Sequence, residues 1–499
     1  MSQLTYDENN LQYPGEFRIS EIALFNTYGN VVGIATATAE ISIYEDIEQN
    51  FISGTLTFTD TEDLVGKLPI LGQEYLEFKI RTPLKSTYGE GEYDFTNTRM
   101  AVYKVTKERL NSNTQMVNLD FISTEAIRDS NIKISRAFDG PYDDAVAKIF
   151  KKSWGLNSKK KLYVQPTQGN FKFVAPNQRP TDVLNMLASR AVPKTSRSPG
   201  YFFYENAQGF HFRSVDSFYF MAKSEGVAVH PPMFEYFADS ETARGLNNPR
   251  DNAMSQMRVV KSFKILPQND LITTQRTGTY ASKLITHDGY NKTFKEYEYN
   301  YIDDYKRVSH IEKDFLADQA NYRGLIPKAH YDFNDTETAE TRTDGSAYKY
   351  LSDYKDARIM VQSDTANIHN TNSTKGYQVS EYIQRRKNVL GTMNAVVCEL
   401  EVHGNTHINI GHVIQINVPR AGRDKQGVKL LDHDRYLSGR WLITAIRHSF
   451  NVADQIHTMA LTCIKETYYT PLFEKNAPLQ VSVKDEGKPV NLYDDSQYS

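Results

Sequence analysis

Apolar and polar residues alternate with period two in Ile41-Ser-Ile-Tyr44, Thr55-Leu-Thr-Phe58 and Tyr75-Leu-Glu-Phe-Lys-Ile80. That period marks strands with one buried face. Between the last two, Thr59 and Glu62 have capping-box spacing and Asp60 to Asp63 precede Leu64 and Leu68, which predicts one short helical turn. Residues 84–97 are rich in Gly, Ser, Thr, Tyr and acid and read as a loop. Met100–Lys107 and Gln115–Ile122 then read as a hairpin around Leu110 to Thr114.

The period changes after residue 126. Pro141 followed by Asp143 and Asp144 opens a helix with Tyr142, Val146, Ile149 and Phe150 on one face. Pro180 opens another with Val183, Leu184, Leu187 and Ala191 on one face. Tyr201–Tyr204 and Phe210–Arg213 read as a hairpin. Strands return at Arg258–Ile265 and Thr279–Thr286. A helical pattern covers Tyr377–Leu390, and strands follow at Val396–Val402, Val413–Val418, Arg440–Phe450 and Gln455–Lys465. The predicted fold class is mainly β with smaller α+β parts: two tube-like β-barrel domains, an α+β domain and an insertion. The boundaries are an N-terminal arm (1–15), a first β domain (16–125), an α+β domain (126–222), a second β domain (223–299 and 377–466), a polar Tyr-rich insertion (300–376) and a C-terminal extension (467–499).

The two β domains read as an internal repeat. Gly72 begins a strand, and a loop leads to Arg99-Met-Ala-Val-Tyr-Lys-Val105 and, after a turn, Gln115-Met-Val-Asn-Leu-Asp-Phe-Ile122. Gly411 begins a strand, and a loop leads to Arg440-Trp-Leu-Ile-Thr-Ala-Ile446 and then Gln455-Ile-His-Thr-Met-Ala-Leu-Thr-Cys-Ile464. The spacing from glycine to arginine is 27 residues in the first and 29 in the second. Arg99 and Arg440 are expected to play structural roles in the two copies.

Composition narrows the function. A chain of 499 residues is long enough for roughly three or four domains. The net charge of −3 excludes a global basic field for nucleic-acid binding. The 32 Tyr and 25 Phe favour strands and interfaces over one deep core. With 2 Cys no disulfide framework is expected, and folding in a reducing compartment is the simpler reading. Met1 to Phe17 lacks the basic and apolar regions of a signal peptide, and no apolar stretch approaches 18 residues, so no membrane anchor is expected.

Four stretches in this order resemble a known family: Gly54-Thr-Leu-Thr-Phe-Thr-Asp60 with Gly72-Gln-Glu-Tyr-Leu-Glu-Phe78; Thr279-Tyr-Ala-Ser-Lys283; the helix at 377–390 running into Ala395–Gly404 and Ile410–Ile416; and Tyr436–Phe450. They are similar to the baseplate hub of contractile-tailed phages related to the T-even phages, to the late-control protein D hubs and to the N-terminal half of type VI secretion spikes. The resemblance covers most of 17–467. It implies a homotrimer whose six β domains form a pseudo-sixfold ring between a sixfold tube and a threefold spike, with DNA passing through the lumen without specific binding. Implied partners are a central spike protein, the tube initiator or tube protein, baseplate wedge proteins and the tape-measure protein. The implied location is the virion baseplate, after assembly in the host cytoplasm. The chain departs from the pattern in its length at 300–376 and 467–499 and in carrying no fused spike, so the spike is expected to be a separate protein. Rival readings are a trimeric receptor-binding adhesin and a tail-associated peptidoglycan hydrolase.

Candidate chemistry is sparse. His403, His407 and His412 invite a metal, but strand residues four apart lie about 13 Å apart, too far for one zinc ion. His433 sits in a polar loop between Asp432 and Asp434. Cys398 and Cys463 fall inside strands, where Cys acts as a small apolar residue. The sequence has no HExxH, GxxxxGK[ST] or GxGxxG. No catalytic, cofactor-binding or metal residue is therefore assigned, and no enzyme activity is expected. Lys151, Lys152, Lys159, Lys160 and Lys161 around Trp154 are expected to form a solvated loop. Glu74, Glu77 and Glu399 are expected to face a polar lumen.

Overall fold

The computed structural model describes residues 11–219, 234–238, 253–311, 351–363, 379–419, 434–466 and two short strands near the C-terminus, with short gaps inside those spans. Most of 300–376 and 467–499 therefore lies outside the described residues, as do Asp432 and His433.

The first β unit holds β1 (Arg18–Phe25), β2 (Val31–Gly33), β3 (Thr38–Asp46), β4 (Ser53–Asp60), β5 (Tyr75–Arg81), β6 (Glu92–Asp94), β7 (Met100–Arg109) and β8 (Gln115–Ser123). The α+β part follows with β9 (Ile134–Gly140), β10 (Leu162–Val164), β11 (Phe171–Gln178), β12 (Tyr201–Asn206) and β13 (Gly209–Ser214). The second β unit holds β14 (Phe234–Phe237) and β15 (Val260–Leu266). After an excursion through β16 (Ala281–Asp288), β17 (Thr293–Asn300) and β18 (Ile359–Ser363), it resumes with β19 (Val396–His403), β20 (Val413–Asn417), β21 (Gly439–Asn451) and β22 (Ile456–Lys465). The fold is mostly β with smaller α+β parts, as the alternation predicts.

Both β units lie in one 14-stranded sheet of order β15-β19-β22-β21-β3-β4-β8-β7-β5-β1-β2, with β6, β14 and β20 branching from it. Among the described residues the first unit is open, whereas in the second Phe237 of β14 bridges Val259 in parallel, which brings β14 back beside the start of β15 and returns the run β15-β19-β22-β21-β20-β14 on itself. The order β3-β4-β8-β7-β5 repeats as β15-β19-β22-β21-β20. The registers repeat too. In β7–β8, Ala101↔Ile122 and Val102↔Phe121 are followed by a bulge at Tyr103, after which Lys104↔Asp120 resumes the ladder. In β21–β22, Leu442↔Ile464 and Ile443↔Cys463 are followed by a bulge at Thr444, after which Ala445↔Thr462 resumes. A second bulge recurs between Thr38↔Phe58 and Glu40↔Thr57, and between Val260↔Val402 and Ser262↔Glu401. Bulges re-aim a strand locally, so two matching bulges give the units matching bends.

Each unit has its own core. Leu56, Phe58, Phe78, Leu119 and Phe121 fill the first, and Leu400, Val402, Trp441, Leu461 and Cys463 fill the second. Gly54 and Phe121 are cross-strand neighbours in the first unit, and Cys398 and Cys463 hold the equivalent places in the second. A Cβ on Gly54 would lie 2.3 Å from the Phe121 ring. One unit thus packs a large and an absent side chain where the other packs two small ones, conserving volume.

The α+β part encloses a third core. Helices Tyr142–Lys151 and Pro180–Arg190 press Tyr142, Val146, Ile149, Val183, Leu184 and Leu187 against its sheets. Proline opens the second helix at its first turn, where a missing N–H costs nothing.

The structure differs from expectation in four places. The helical turn Leu64–Lys67 is capped by Asp60, not Thr59: Asp60 accepts from the Leu64 and Val65 amides at 2.8 and 3.1 Å and from Gln115. Strands β16 and β17, expected in the second β domain, form a separate sheet with β18. Helix Val379–Met393 holds that sheet through Gln384 to the Ser282 carbonyl and Asn388 to the Thr279 carbonyl. Residues 11–15, expected to be a loose arm, are docked: Leu11 is buried, the Tyr13 hydroxyl donates to the Gln455 carbonyl, and the Gly15 carbonyl accepts from the His457 amide.

The fourth difference lies in the lysine run. The Lys160 side chain is buried, at 2.6 Å from Glu205 and 3.0 Å from Glu125. Glu205 also accepts from the Ile52 amide and the Ser123 hydroxyl of the first β unit. Burial weakens the Lys160 charge, but the two carboxylates more than offset it, and the ammonium is held above its ordinary pKa. Replacing Lys160 by Met would leave two buried carboxylates unpaired. K160M is expected to lower unfolding free energy by about 3–5 kcal/mol, whereas K159M, at an exposed site, should change it by less than about 0.5 kcal/mol. Urea denaturation of both variants checks this.

Candidate functional site

The candidate site is the junction of the two β units, where β3 and β21 pair antiparallel over seven positions from Asp46↔Ala445 to Glu40↔Asn451. Bonds from the Ile47 amide to the Thr444 carbonyl and from the Val452 amide to the Ala39 carbonyl extend it at either end. The cores interlock across it: Phe450 of β21 packs in the first core, and Ile47, just past β3, packs in the second.

Alternation along β3 puts Ile41, Ile43 and Glu45 on one face, and along β21 it puts Ile446, His448 and Phe450 inward. Glu45 and His448 therefore meet in the junction. Tyr93 of β6 lies between them, donating to Glu45 Oε1 at 2.9 Å, with its oxygen 2.8 Å from His448 Nε2. His448 Nδ1 is 3.0 Å from His457 Nε2. One assignment satisfies the run: His457 Nε2–H donates to His448, His448 Nε2–H donates to Tyr93, and Tyr93 donates to Glu45. The chain ends at His457 Nδ1, which has no partner among the described residues. Glu45 Oε1 also accepts from the Ala207 amide at 3.0 Å, so the α+β part joins the same node. A second clasp crosses nearby: the Thr82 amide donates to Thr406 Oγ1 and the Thr406 amide returns a bond to Thr82 Oγ1.

Burial dictates the charge states. It pushes the Glu45 carboxyl up to about 8, against the hydrogen bonds from Tyr93 and Ala207. It pulls His448 down to about 3 and His457 well below the usual histidine range, with His448 adding to the effect on His457. The run is therefore neutral near pH 6.5, with a protonated carboxyl and two neutral imidazoles.

The residues singled out from sequence fall elsewhere. Glu74 is buried and accepts from the Leu71, Gly72 and Gln73 amides, so it caps a turn and faces no lumen. Glu77 pairs with Arg99, whose guanidinium lies 4.0 Å from the centre of the Phe25 ring. In the second unit Gln415 is opposite Arg440. Glu399 is exposed, 4.0 Å from Lys264. Among the described residues no three His, Cys, Asp or Glu side chains gather as a metal-binding group. His412 is half-buried, and desolvation followed by Arg213 lowers its pKa to about 4. Cys398 faces Cys463 inside the ladder, where burial and that neighbour push the Cys463 thiol well up, away from a nucleophilic thiolate.

Sequence reasoning did not single out Glu45, Tyr93, His448 and His457. The signal was present: an acid in step with Ile41 and Ile43, and a histidine in step with Ile446 and Phe450, are polar residues at positions the alternation marks as buried.

No family model and no curated protein matches the chain. Its neighbours among solved structures are tail, baseplate and spike proteins. A tail protein from Neisseria meningitidis aligns over 91% of this chain and 98% of its own, with 9% identity and a TM-score of 0.47. A 43 kDa prophage tail protein from Shewanella oneidensis aligns over 90% and 99%, with 12% identity and a TM-score of 0.46. A component of the Escherichia coli type VI secretion system aligns over 91% and 79%, with 8% identity and a TM-score of 0.36.

The junction's pH response has a definite sign. The raised pKa of Glu45 contributes stability that is complete below the ordinary glutamate value of 4.5 and is lost as pH rises to about 8. The depressed histidines contribute stability that is present above 6.5 and lost as pH falls. E45Q, an isostere of the neutral acid, should remove the alkaline loss. Between pH 6.5 and 8 the wild type should lose about 1.5 kcal/mol more than E45Q, read from denaturation midpoints across pH.

Proposed function

We propose that this chain is the structural hub of a contractile-tail baseplate. Three copies set six similar β units around a lumen, matching a sixfold tube to a threefold central spike, and DNA passes through without specific binding. The observation that carries the reading is the duplication: one chain holds the same strand order and the same two bulges twice, fused edge to edge into one sheet. A trimer of such a chain has six-unit and threefold character together. The sequence resemblance to baseplate hubs supports the same reading.

The mechanism is geometric and calls on no catalytic residue. The hub sits in the virion tail after assembly in the host cytoplasm. Its partners are the central spike protein, the tube initiator or tube protein, wedge proteins and the tape-measure protein. The segments 300–376 and 467–499 are the proposed wedge and tube contacts. Glu77 and Glu399 remain candidates for the polar lumen, and Glu74 does not.

The test is light scattering on the full chain, alone and with its cognate spike protein. The expected result is a particle of three chains, formed alone or on adding spike. A chain that stays monomeric with spike overturns the reading. A trimer that binds host cells and ignores the spike favours an adhesin, and loss of turbidity from a cell-wall suspension favours a hydrolase.

A further inference from the structure

The internal repeat supplies a template for how one copy of the chain meets the next. In the second unit, β21 divides its outer edge at the Thr444 bulge. The part before the bulge pairs with β20, and the part after it, from Ala445 to Asn451, pairs with β3 of the first unit. In the first unit the equivalent strand β7 pairs with β5 before its Tyr103 bulge, through Tyr75↔Ala101 and Leu76↔Met100. After the bulge, Lys104 to Glu108 has β8 on one side and no strand on the other among the described residues. The strand equivalent to β3 is β15, which pairs with β19 on one side; on the other Phe237 bridges Val259 just before it, and beyond that bridge β15 has no paired strand among the described residues. Each half of the internal junction therefore has a counterpart at an open edge of the same chain.

We infer that β15 of one copy pairs antiparallel with the post-bulge half of β7 in a second copy, repeating between chains the β3–β21 junction made within the chain. The register follows by transposition. Tyr44↔Arg447, Ile43↔His448 and Ser42↔Ser449 become Leu266↔Thr106, Ile265↔Lys107 and Lys264↔Glu108. The Ser42↔Ser449 pair is informative. Ser42 and Ser449 bring their hydroxyls to 3.5 Å across the internal junction. The same place at the open edges carries exposed Lys264 and exposed Glu108, opposite charges that would stand directly across one another. Beside them Ile265 is 41% exposed although it lies in a strand. The interface is heterologous, since one edge meets a different edge, so it propagates head to tail, and a threefold rotation between copies closes it into the proposed ring.

This inference names the contact behind the proposed ring and rests on that reading for the number of copies alone. The test is cysteine cross-linking in the full chain, whose own Cys398 and Cys463 are buried. Under mild oxidation K264C/E108C should give disulfide-linked dimers and trimers on non-reducing gels, cross-linking at least tenfold more than K264C/K104C. In the second pair the cysteines would sit four residues out of register, about 13 Å apart. Charge exchange gives an independent readout that needs no oxidant. K264E or E108K, each placing like charges opposite, should weaken assembly about tenfold per contact, and K264E/E108K should restore it. All three positions are exposed, so folding is not at stake. If the chain forms trimers but the in-register pair cross-links no better than the displaced pair, the edge assignment is overturned and the trimer stands. If cross-linking is in register but the particle does not hold three chains, the edge contact stands and the copy number is overturned. If the chain stays monomeric with spike and neither pair cross-links, both are overturned.

Discussion

The arrangement of the chain depends on the pairing of β3 with β21. Without it the two β units would be separate sheets tied by a long connection, and each would expose a strand edge. With it they share one ladder and exchange core residues, Phe450 in one direction and Ile47 in the other. The exchange makes slippage costly. A one-residue slip in a strand moves every side chain to the opposite face. It would turn Phe450 and Ile43 to solvent and break the run from Glu45 to His457. A buried polar run adds little net stability compared with an apolar core, but its three internal hydrogen bonds form in one register only. The Glu45 node thus works as a register lock on a contact whose strength comes from apolar packing and backbone pairing.

The same logic holds the α+β part in place. It reaches the first β unit through two buried acids. Glu45 takes the Ala207 amide, and Glu205 takes the Ile52 amide and the Ser123 hydroxyl. Burial raises both carboxyls, but their resolutions differ. Glu205 has the Lys160 ammonium at 2.6 Å, whereas Glu45 has no cation among its bonded partners and is held as the neutral acid. One attachment is ionic and the other protonic, so a rise in pH loads the Glu45 node while the Glu205 node keeps its counter-ion.

Much of this was legible in the sequence, because alternation and helix period report which face of an element is buried. The strands of both units, the helices opened by Pro141 and Pro180, and the repeat could be read in that way. Which strand pairs with which is not encoded in period. The strands at 281–300 read as well for the second β unit as for the separate sheet they form with Ile359–Ser363. Lys160 looked solvated because its neighbours in sequence are, and its two carboxylates come from residues 35 and 45 positions away. Glu74 looked like a surface acid because a turn that uses its carboxylate three times leaves no periodic mark. Glu45 and His448 carried a readable signal, a polar residue on an apolar beat, that names a buried position without naming its partner.

Duplication within one chain has a structural consequence of its own. A contact between two fused units need not discriminate among partners, because the linker delivers the right one, and small neutral residues suffice where Ser42 meets Ser449. An edge that must meet another chain has two further requirements. It must avoid pairing with any strand it encounters, and lysines on an edge serve that end. It must also recognise the correct edge, and opposite charges in register supply specificity and steering more than raw affinity. The residues at the two open edges have that character, with Lys261 and Lys264 on β15 and Lys104, Lys107 and Glu108 on β7. Their difference from the internal junction is the difference expected between a contact made within a chain and the same contact made between chains.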